Sequence, residues 1–352
     1  MSLAQLQIHH LRNIKSARLD FHPHINLFSG VNGSGKTSVL EAIYLLGSGH
    51  SFRTREILPL ISQGEETMTV FSRTLDEQSI SIQKSVHSPT LVRINKLTCQ
   101  SSSELAHFLP CQVFYQDIFQ IIDAGPAIRR TVLDWGLFHV KQDYHFLWKD
   151  YKRALKQRNY LLKQKASPKD LEPWNSILDE LASRLHQARE QYFLQLRPEF
   201  EKTLMQLSNF HCSLNYYKGW DKRDNGKSLA TILAESYQKD ILRQFTHYGP
   251  HQADLFVASE DFTAKQYLSR GQQKILLFAL KLAQANLTPK SCIYLCDDLA
   301  SELDKGHVER LLHFFLTVNG QFFITSTQPL DDYFQTSKDI KLFSVLEGKV
   351  TE

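Results

Sequence analysis

Gly30-Val31-Asn32-Gly33-Ser34-Gly35-Lys36-Thr37 satisfies the pattern G-x-x-x-x-G-K-S/T at every fixed position. That spacing suits a phosphate. Glycines let backbone N–H groups curl around an anion without side-chain clashes. A lysine then neutralises charge, and a hydroxyl residue ligates a divalent cation. Residues 17–28 end in the apolar run Ile25-Asn26-Leu27-Phe28 and read as a strand; residues 36–46 carry a helical pattern. The loop therefore opens a helix whose positive dipole end faces the same anion. Much later, Ile293-Tyr294-Leu295-Cys296 is an apolar strand that ends in Asp297 and Asp298. Ligands sit at the carboxyl ends of strands in parallel sheets. The two segments together predict a site for ATP and Mg2+. Gly30, Val31, Asn32, Gly33, Ser34, Gly35, Lys36, Thr37 and Ser38 would surround the phosphates. Lys36 would neutralise the β and γ phosphates. Thr37 and Asp297 would hold magnesium, and Asp298 would orient the attacking water.

Several elements must place these residues. Residues 3–8 alternate apolar and polar and read as a strand. Residues 68–97 are rich in Val, Ile, Thr and Ser and predict antiparallel strands, with turns at Asp76-Glu77 and Ser88-Pro89. From residue 127 to about 207 the chain is helical. Tyr144, Leu147, Tyr151, Leu155 and Leu162 form one apolar stripe; Trp174, Leu178, Leu181, Leu185, Ala188, Tyr192 and Leu196 form another. A turn at Ala166-Ser167-Pro168 would make these a helical hairpin. Lys169 and Pro173 belong to the loop before the second helix, and Pro198 ends or kinks that helix. Strand and helix patterns alternate again after residue 245, which implies a mainly parallel sheet.

Leu268-Ser269-Arg270-Gly271-Gln272-Gln273-Lys274 resembles the LSGGQ signature of ABC-type ATPases. It precedes a predicted helix and then Asp297, the usual order. Ser301-Glu302-Leu303-Asp304 resembles the D-loop of the same class. Further stretches are closer still to the bacterial RecF family. They are Leu11-Arg12-Asn13, Glu41-Ala42-Ile43-Tyr44, Ser51-Phe52-Arg53-Thr54 and Gly125-Pro126. Arg129-Arg130, Leu133-Asp134-Trp135-Gly136 and Tyr248-Gly249-Pro250-His251 continue the series. The resemblance spans essentially the whole chain. It implies an ATP-dependent DNA-binding protein of recombinational gap repair, similar to an SMC-type head without long arms. Such proteins act with RecO and RecR to load the RecA recombinase at single-strand gaps. It also implies an ATP-dependent homodimer, in which Ser269, with Gly271 and Gln272, completes the partner's nucleotide site. Arg12 and Asn13 occupy a position that approaches the nucleotide in SMC-like relatives. Gln116 falls in the region of a metal-contacting glutamine.

Departures from the ABC pattern point to slow turnover. Asp298 replaces the commoner glutamate, and residues 322–327 carry no switch histidine. Arg270 stands where many ABC proteins have glycine; it would add a cation near the phosphates or pair with an acid on the partner.

The expected fold is α/β: a P-loop ABC-type ATPase head at residues 1–125 and 245–352, split by a mostly helical insertion at 126–244. A chain with 42% hydrophobic residues has the composition of a packed globular core. The net charge of +4 is too small to establish an anionic partner by itself. Residues 141–169 are more telling. Nine basic residues (Lys141, Lys149, Lys152, Arg153, Lys156, Arg158, Lys163, Lys165 and Lys169) face two acids, with Tyr144, Trp148, Tyr151 and Tyr160 interleaved. Such a face can track a DNA backbone or stack on unpaired bases of single-stranded, gapped or junction DNA. The competing reading is a solvated face with its aromatics turned inward. Five cysteines without a CxxC pair suggest a reduced, cytoplasmic setting, and no signal or membrane-spanning run is visible. The alternative is the ATPase subunit of a membrane transporter, which shares the signature logic.

Overall fold

The computed structural model describes residues 2–259, 262–263, 268–328, 330, 333 and 339–352. The chain forms two compact units. Unit 1 comprises residues 1–118, 206–208 and 288–352; unit 2 comprises 119–205 and 209–287.

Unit 1 begins with strands β1 (Leu3–Leu11), β2 (Ile14–Asp20) and β3 (Ile25–Ser29), then helix α1 (Lys36–Ser48). Strands β4 (Thr67–Thr74), β5 (Ser79–Ser85), β6 (Leu91–Ile94) and β7 (Leu97–Thr98) follow, then α2 (Ser102–Phe108) and β8 (Cys111–Phe114). Unit 2 holds α3 (Gln120–Asp123), α4 (Pro126–Val140), α5 (Tyr144–Lys163), most of α6 (Pro168–Leu207) and β9 (Ser213–Tyr217). It continues with α7 (Leu229–Glu235), α8 (Tyr237–Arg243), β10 (Asp254–Ser259), β11 (Phe262–Thr263) and α9 (Arg270–Asn286). Unit 1 resumes with β12 (Cys292–Cys296), α10 (Lys305–Phe315), β13 (Gly320–Ser326), β14 (Ile340–Leu346) and β15 (Lys349–Thr351).

Two sheets build unit 1. One is antiparallel in the order β2-β1-β4-β5-β6-β7. The other runs β15-β14-β3-β13-β12-β8, parallel except at the β14–β15 hairpin. The alternation read in residues 68–97 is the β4–β5–β6 meander. Met68, Val70, Ile80 and Ile82 point inward and are buried. Helix α1 has little one-sided character because ten of its thirteen residues are buried, Val39, Leu40, Ile43 and Leu46 among them. These side chains share one core with Leu6 and Ile8 of β1 and with Leu295 and Phe323 of the parallel sheet. Each fully buried Leu or Ile contributes at most roughly 1.5–3 kcal/mol. Gln321 is fully buried inside this apolar layer with its carbonyl oxygen and both amide protons engaged. Its Oε1 accepts the Leu3 N–H at 2.7 Å, and its Nε2 donates to the carbonyls of Leu3 at 2.8 Å and His22 at 2.9 Å.

Two sequence expectations need correction in unit 2. Helix α6 starts at Pro168 and runs unbroken for 40 residues through Pro173 and Pro198. Proline keeps helical φ, but Pro198 forfeits one hydrogen bond and its ring crowds the carbonyl four residues earlier. The buried stripe carries the helix across: Leu178, Leu185, Ala188, Tyr192 and Leu196 before the proline, Phe200 and Leu204 after it. Residues 245–287, which composition assigns to the head, belong instead to unit 2. Strand β10 pairs with β9, and the α9 side chain Gln284 donates to the Val132 carbonyl of α4 at 2.6 Å.

Candidate nucleotide site

Chain geometry makes the loop after β3. At Gly30 an added Cβ would lie 2.3 Å from the Val345 carbonyl oxygen, so only glycine passes. Gly35 takes φ +118° as it turns into α1, a value that excludes side-chain-bearing residues. The Gly348 N–H, at the β14–β15 turn, donates to the Ser34 carbonyl at 2.7 Å and supports the loop from below. Lys36 folds back over the loop. Its Nζ donates to the carbonyls of Gly30 at 2.7 Å and Val31 at 2.8 Å. Burial lowers the lysine pKa, while Asp298 and then Asp297 oppose the shift. Among the described residues the buried Ser34 hydroxyl finds no hydrogen-bond partner. An unmatched buried hydroxyl beside a desolvated ammonium suits an anion with several acceptor oxygens. Val31, Asn32 and Gly33 form the exposed rim.

The acidic turn meets this loop. Thr37 Oγ1 donates to Asp297 Oδ1 at 2.9 Å, closing a span of 260 residues. Thr325 Oγ1 donates to the same oxygen at 2.8 Å and accepts the Asp298 N–H at 2.8 Å. Asp298 has φ +46°, a left-handed conformation that aspartate adopts more readily than most residues. Sequence reading found Thr37, Asp297 and Asp298 but missed Thr325, whose strand carries no motif.

Arg12 and Asn13 serve the site differently. Arg12 grips Glu41 with Nε at 2.9 Å and Nη2 at 2.8 Å, and donates to the Pro59 carbonyl through Nη1 at 2.6 Å. Glu41 is fully buried and also accepts from the Ser51 hydroxyl. The Arg12 guanidinium is thus committed to α1. Asn13 holds the loop itself: Nδ2 donates to the Ser34 carbonyl at 3.1 Å, and Ser38 Oγ donates to its Oδ1 at 3.2 Å. A carboxylate at position 41 within the mostly apolar run Val39–Leu46 was the available signal for the Glu41 network. Gln116 opens a 3-10 turn at Gln116–Phe119, but its side chain lies outside the described residues.

The signature residues lie in unit 2. Ser269 caps α9 in a capping box: its Oγ accepts the Gln272 N–H at 3.3 Å, and its own N–H donates to Gln272 Oε1 at 2.9 Å. Gly271 follows in the first turn, and Ser269 remains exposed. Arg270 has partners in its own unit. It pairs within its own chain, with Nη1 2.9 Å from Asp123 Oδ2 and the guanidinium 4.9 Å above the Phe119 ring.

Unit 2 also corrects the reading of the basic stretch. Arg158 is fully buried, with Nη1 donating to Asp240 Oδ2 at 2.8 Å and Thr246 Oγ1 at 2.7 Å. Tyr144 and Tyr151 are buried too, and Trp148 lies half-buried beneath Arg189, 4.8 Å from its ring. Lys141, Lys149, Lys152, Arg153, Lys156, Lys163, Lys165 and Lys169 remain exposed, as does Tyr160 at 58%. The face can therefore offer charge and one exposed tyrosine of the four aromatics.

Among the described residues no helix is long and apolar enough to cross a membrane. The chain matches the RecF/RecN/SMC N terminal domain over residues 2–345. The DNA replication and repair protein RecF of Cellvibrio japonicus (strain Ueda107) is 39% identical over 338 residues, covering 93% of this chain and 92% of that protein. The protein of the same name from Marinomonas sp. (strain MWYL1) is 37% identical, covering 100% and 98%. A solved structure of "the recombination mediator protein RecF-ATP in RecFOR pathway" aligns with a TM-score of 0.82 at 27% identity, over 99% of this chain and 97% of that one. An Smc head bound to the C-winged helix domain of ScpA aligns with a TM-score of 0.63 at 17% identity, which speaks for the fold alone. None of these relatives supports the transporter reading. With a phosphate-type loop, an acidic turn and a signature helix in a chain that matches its relatives almost end to end, this protein belongs to the RecF family of DNA replication and repair proteins.

Proposed function

We propose that the chain is an ATP-controlled DNA-binding switch of gap repair, with ATP held by residues 30–38. The observation that carries this reading is the joined site: Thr37 bonded to Asp297, beside a buried lysine and an unmatched Ser34 hydroxyl. Backbone N–H groups of the loop and the Ser34 hydroxyl would hold phosphate oxygens, and Lys36 would neutralise them. Thr37 and Asp297, already bonded to each other, would hold magnesium. Magnesium supplies charge neutralisation between the terminal phosphates. Asp298 orients the attacking water, and its short arm with no switch histidine keeps turnover slow.

Ser269, Gly271 and Gln272 of a second copy close each site, so ATP favours the dimer because it touches both faces. A solved relative bound to ATP supports the nucleotide. The exposed lysines at 141, 149, 152, 156, 163, 165 and 169, with Arg153, meet the DNA backbone at single-stranded, gapped or junction sites. RecO- and RecR-type proteins are the expected partners, with RecA loading as the outcome. Sedimentation with ATP and magnesium, with and without a gapped duplex, tests the switch. A monomer that dimerises with ATP, more readily on DNA, is the expected result. A species indifferent to both sinks the shared-site mechanism.

A further inference from the structure

β13 runs between β3, which leads into the phosphate-type loop, and β12, which leads into the acidic turn. Thr325 sits near its carboxyl end and is 1% exposed. We infer that Thr325 is a positioning residue that fixes Asp297 and Asp298 relative to each other before any ligand arrives. The inference rests on the ATP reading above.

Hydrogen-bond valence carries the argument. A threonine hydroxyl has one proton and two lone pairs. The Asp298 N–H can only donate, so it takes a lone pair of Oγ1, at 2.8 Å. The Asp297 carboxylate can only accept, so the Thr325 proton points at Oδ1, also at 2.8 Å. Thr37 directs its proton to the same oxygen from the loop side, at 2.9 Å. Oδ1 is thereby filled by two hydroxyl donors, which frees Oδ2 for a cation or its water shell. The Asp297 N–H is engaged too, with the Phe114 carbonyl at 2.8 Å. One side chain thus orients the magnesium carboxylate and pins the backbone of the residue that aims the water. Serine preserves both bonds; valine, nearly isosteric, preserves neither.

The test compares wild type, Thr325→Val and Thr325→Ser. Without nucleotide, hydrogen exchange at the Asp298 amide is slow in wild type and Thr325→Ser and at least tenfold faster in Thr325→Val. By equilibrium binding, ATP affinity measured in chelator changes less than about threefold. The gain in affinity conferred by magnesium falls about 10- to 100-fold in Thr325→Val, the scale of one lost bond to a charged group. A purely structural role would lower the melting temperature and leave the magnesium gain intact. Where Thr325→Val fails to fold, Thr325→Ala answers the same questions against Thr325→Ser. A Val or Ala variant with a protected amide and a wild-type magnesium gain overturns the inference while the ATP reading stands. A wild type that binds no ATP overturns that reading, and the inference with it.

Discussion

Replacing Lys36 with methionine separates what the site does for the fold from what it does for a ligand. In the ligand-free chain the ammonium is desolvated and compensated by two carbonyls, those of Gly30 and Val31. The folded state holds its pKa below the ordinary lysine value, with burial the main cause. A base with a depressed folded pKa contributes stability only above its unfolded pKa, and that contribution is lost as pH falls through the folded value. At neutral pH the charged lysine therefore costs stability. Lys36→Met removes that cost and loses two hydrogen bonds, but Val31 is 65% exposed and water can replace its bond to the lysine. The two effects nearly offset, so net stability changes by no more than about 1 kcal/mol. Nucleotide binding is different, because methionine offers no donor to the phosphates. Two charge-assisted hydrogen bonds of about 1.5–3 kcal/mol each correspond to a loss of roughly 10²- to 10⁴-fold in affinity. Calorimetric melting without nucleotide and titration with a fluorescent ATP analogue read the two quantities separately. Affinity within threefold of wild type would refute the assignment of Lys36. A collapse in melting temperature would make the lysine a structural staple instead.

Four other perturbations have definite outcomes. Asp297→Asn keeps an oxygen for Thr37 and Thr325 but removes the charge; melting shifts by about 1–2 kcal/mol or less while magnesium-dependent ATP affinity falls at least tenfold, as titration against magnesium would show. On the basic face, Lys149→Glu or Lys156→Glu leaves melting unchanged and lowers the salt slope of DNA binding by about one for each phosphate left without its lysine. Arg158→Met strips the guanidinium from buried Asp240, which keeps His247 and the Ser236 hydroxyl, and costs about 3 kcal/mol of stability, the low end for a broken buried pair; equal effects from Arg158 and Lys156 changes would contradict this division. His251 is held down to about 4, first by burial, with the Thr246 carbonyl opposing. Its Nε2 faces that carbonyl at 2.9 Å and its Nδ1 the Tyr151 hydroxyl at 2.7 Å, an arrangement for neutral imidazole. Its contribution, about 3 kcal/mol, is complete above pH 6.5 and lost as pH falls toward 4. A pH series of melts shows a drop across that window in wild type that His251→Gln flattens, and a Gln variant with an unchanged slope removes His251 from the account.

The glycine-rich loop was legible because its chemistry is local. Eight consecutive residues fix the turn, the charge and the hydroxyl, and the flanking strand and helix follow from apolar runs. Asp297 and Asp298 were legible for the same reason, as polar residues ending an apolar strand. Thr325 was not: it gains its role by lying beside those aspartates in the sheet, and register between strands is absent from any single run of sequence. Pro173 lies within α6 and Pro198 does not end it, because proline's local preference is a weak prior. A stripe of buried leucines and aromatics on both sides of Pro198 outweighs one missing hydrogen bond.

Charged residues were the hardest to read, and the reason bears on function. A basic cluster in sequence does not reveal which cation has a buried partner far along the chain, as Arg158 has in Asp240, 82 residues away. Arg189 is another case. It is fully buried, donating to Tyr144 Oη at 2.9 Å, Asp134 Oδ1 at 2.9 Å and the Pro250 carbonyl at 2.7 Å. Tyr144 opens α5 and also donates to Asp134 of α4 at 2.6 Å. From the other side, Gln284 of α9 donates to the Val132 carbonyl of α4. The helix bearing the exposed lysines and the helix capped by Ser269 are therefore both fastened to α4, within one compact unit. On the function proposed above, DNA on α5 and the partner's ATP at Ser269 load the same helix. Coupling between the two would require α4 to take two arrangements that each ligand tells apart.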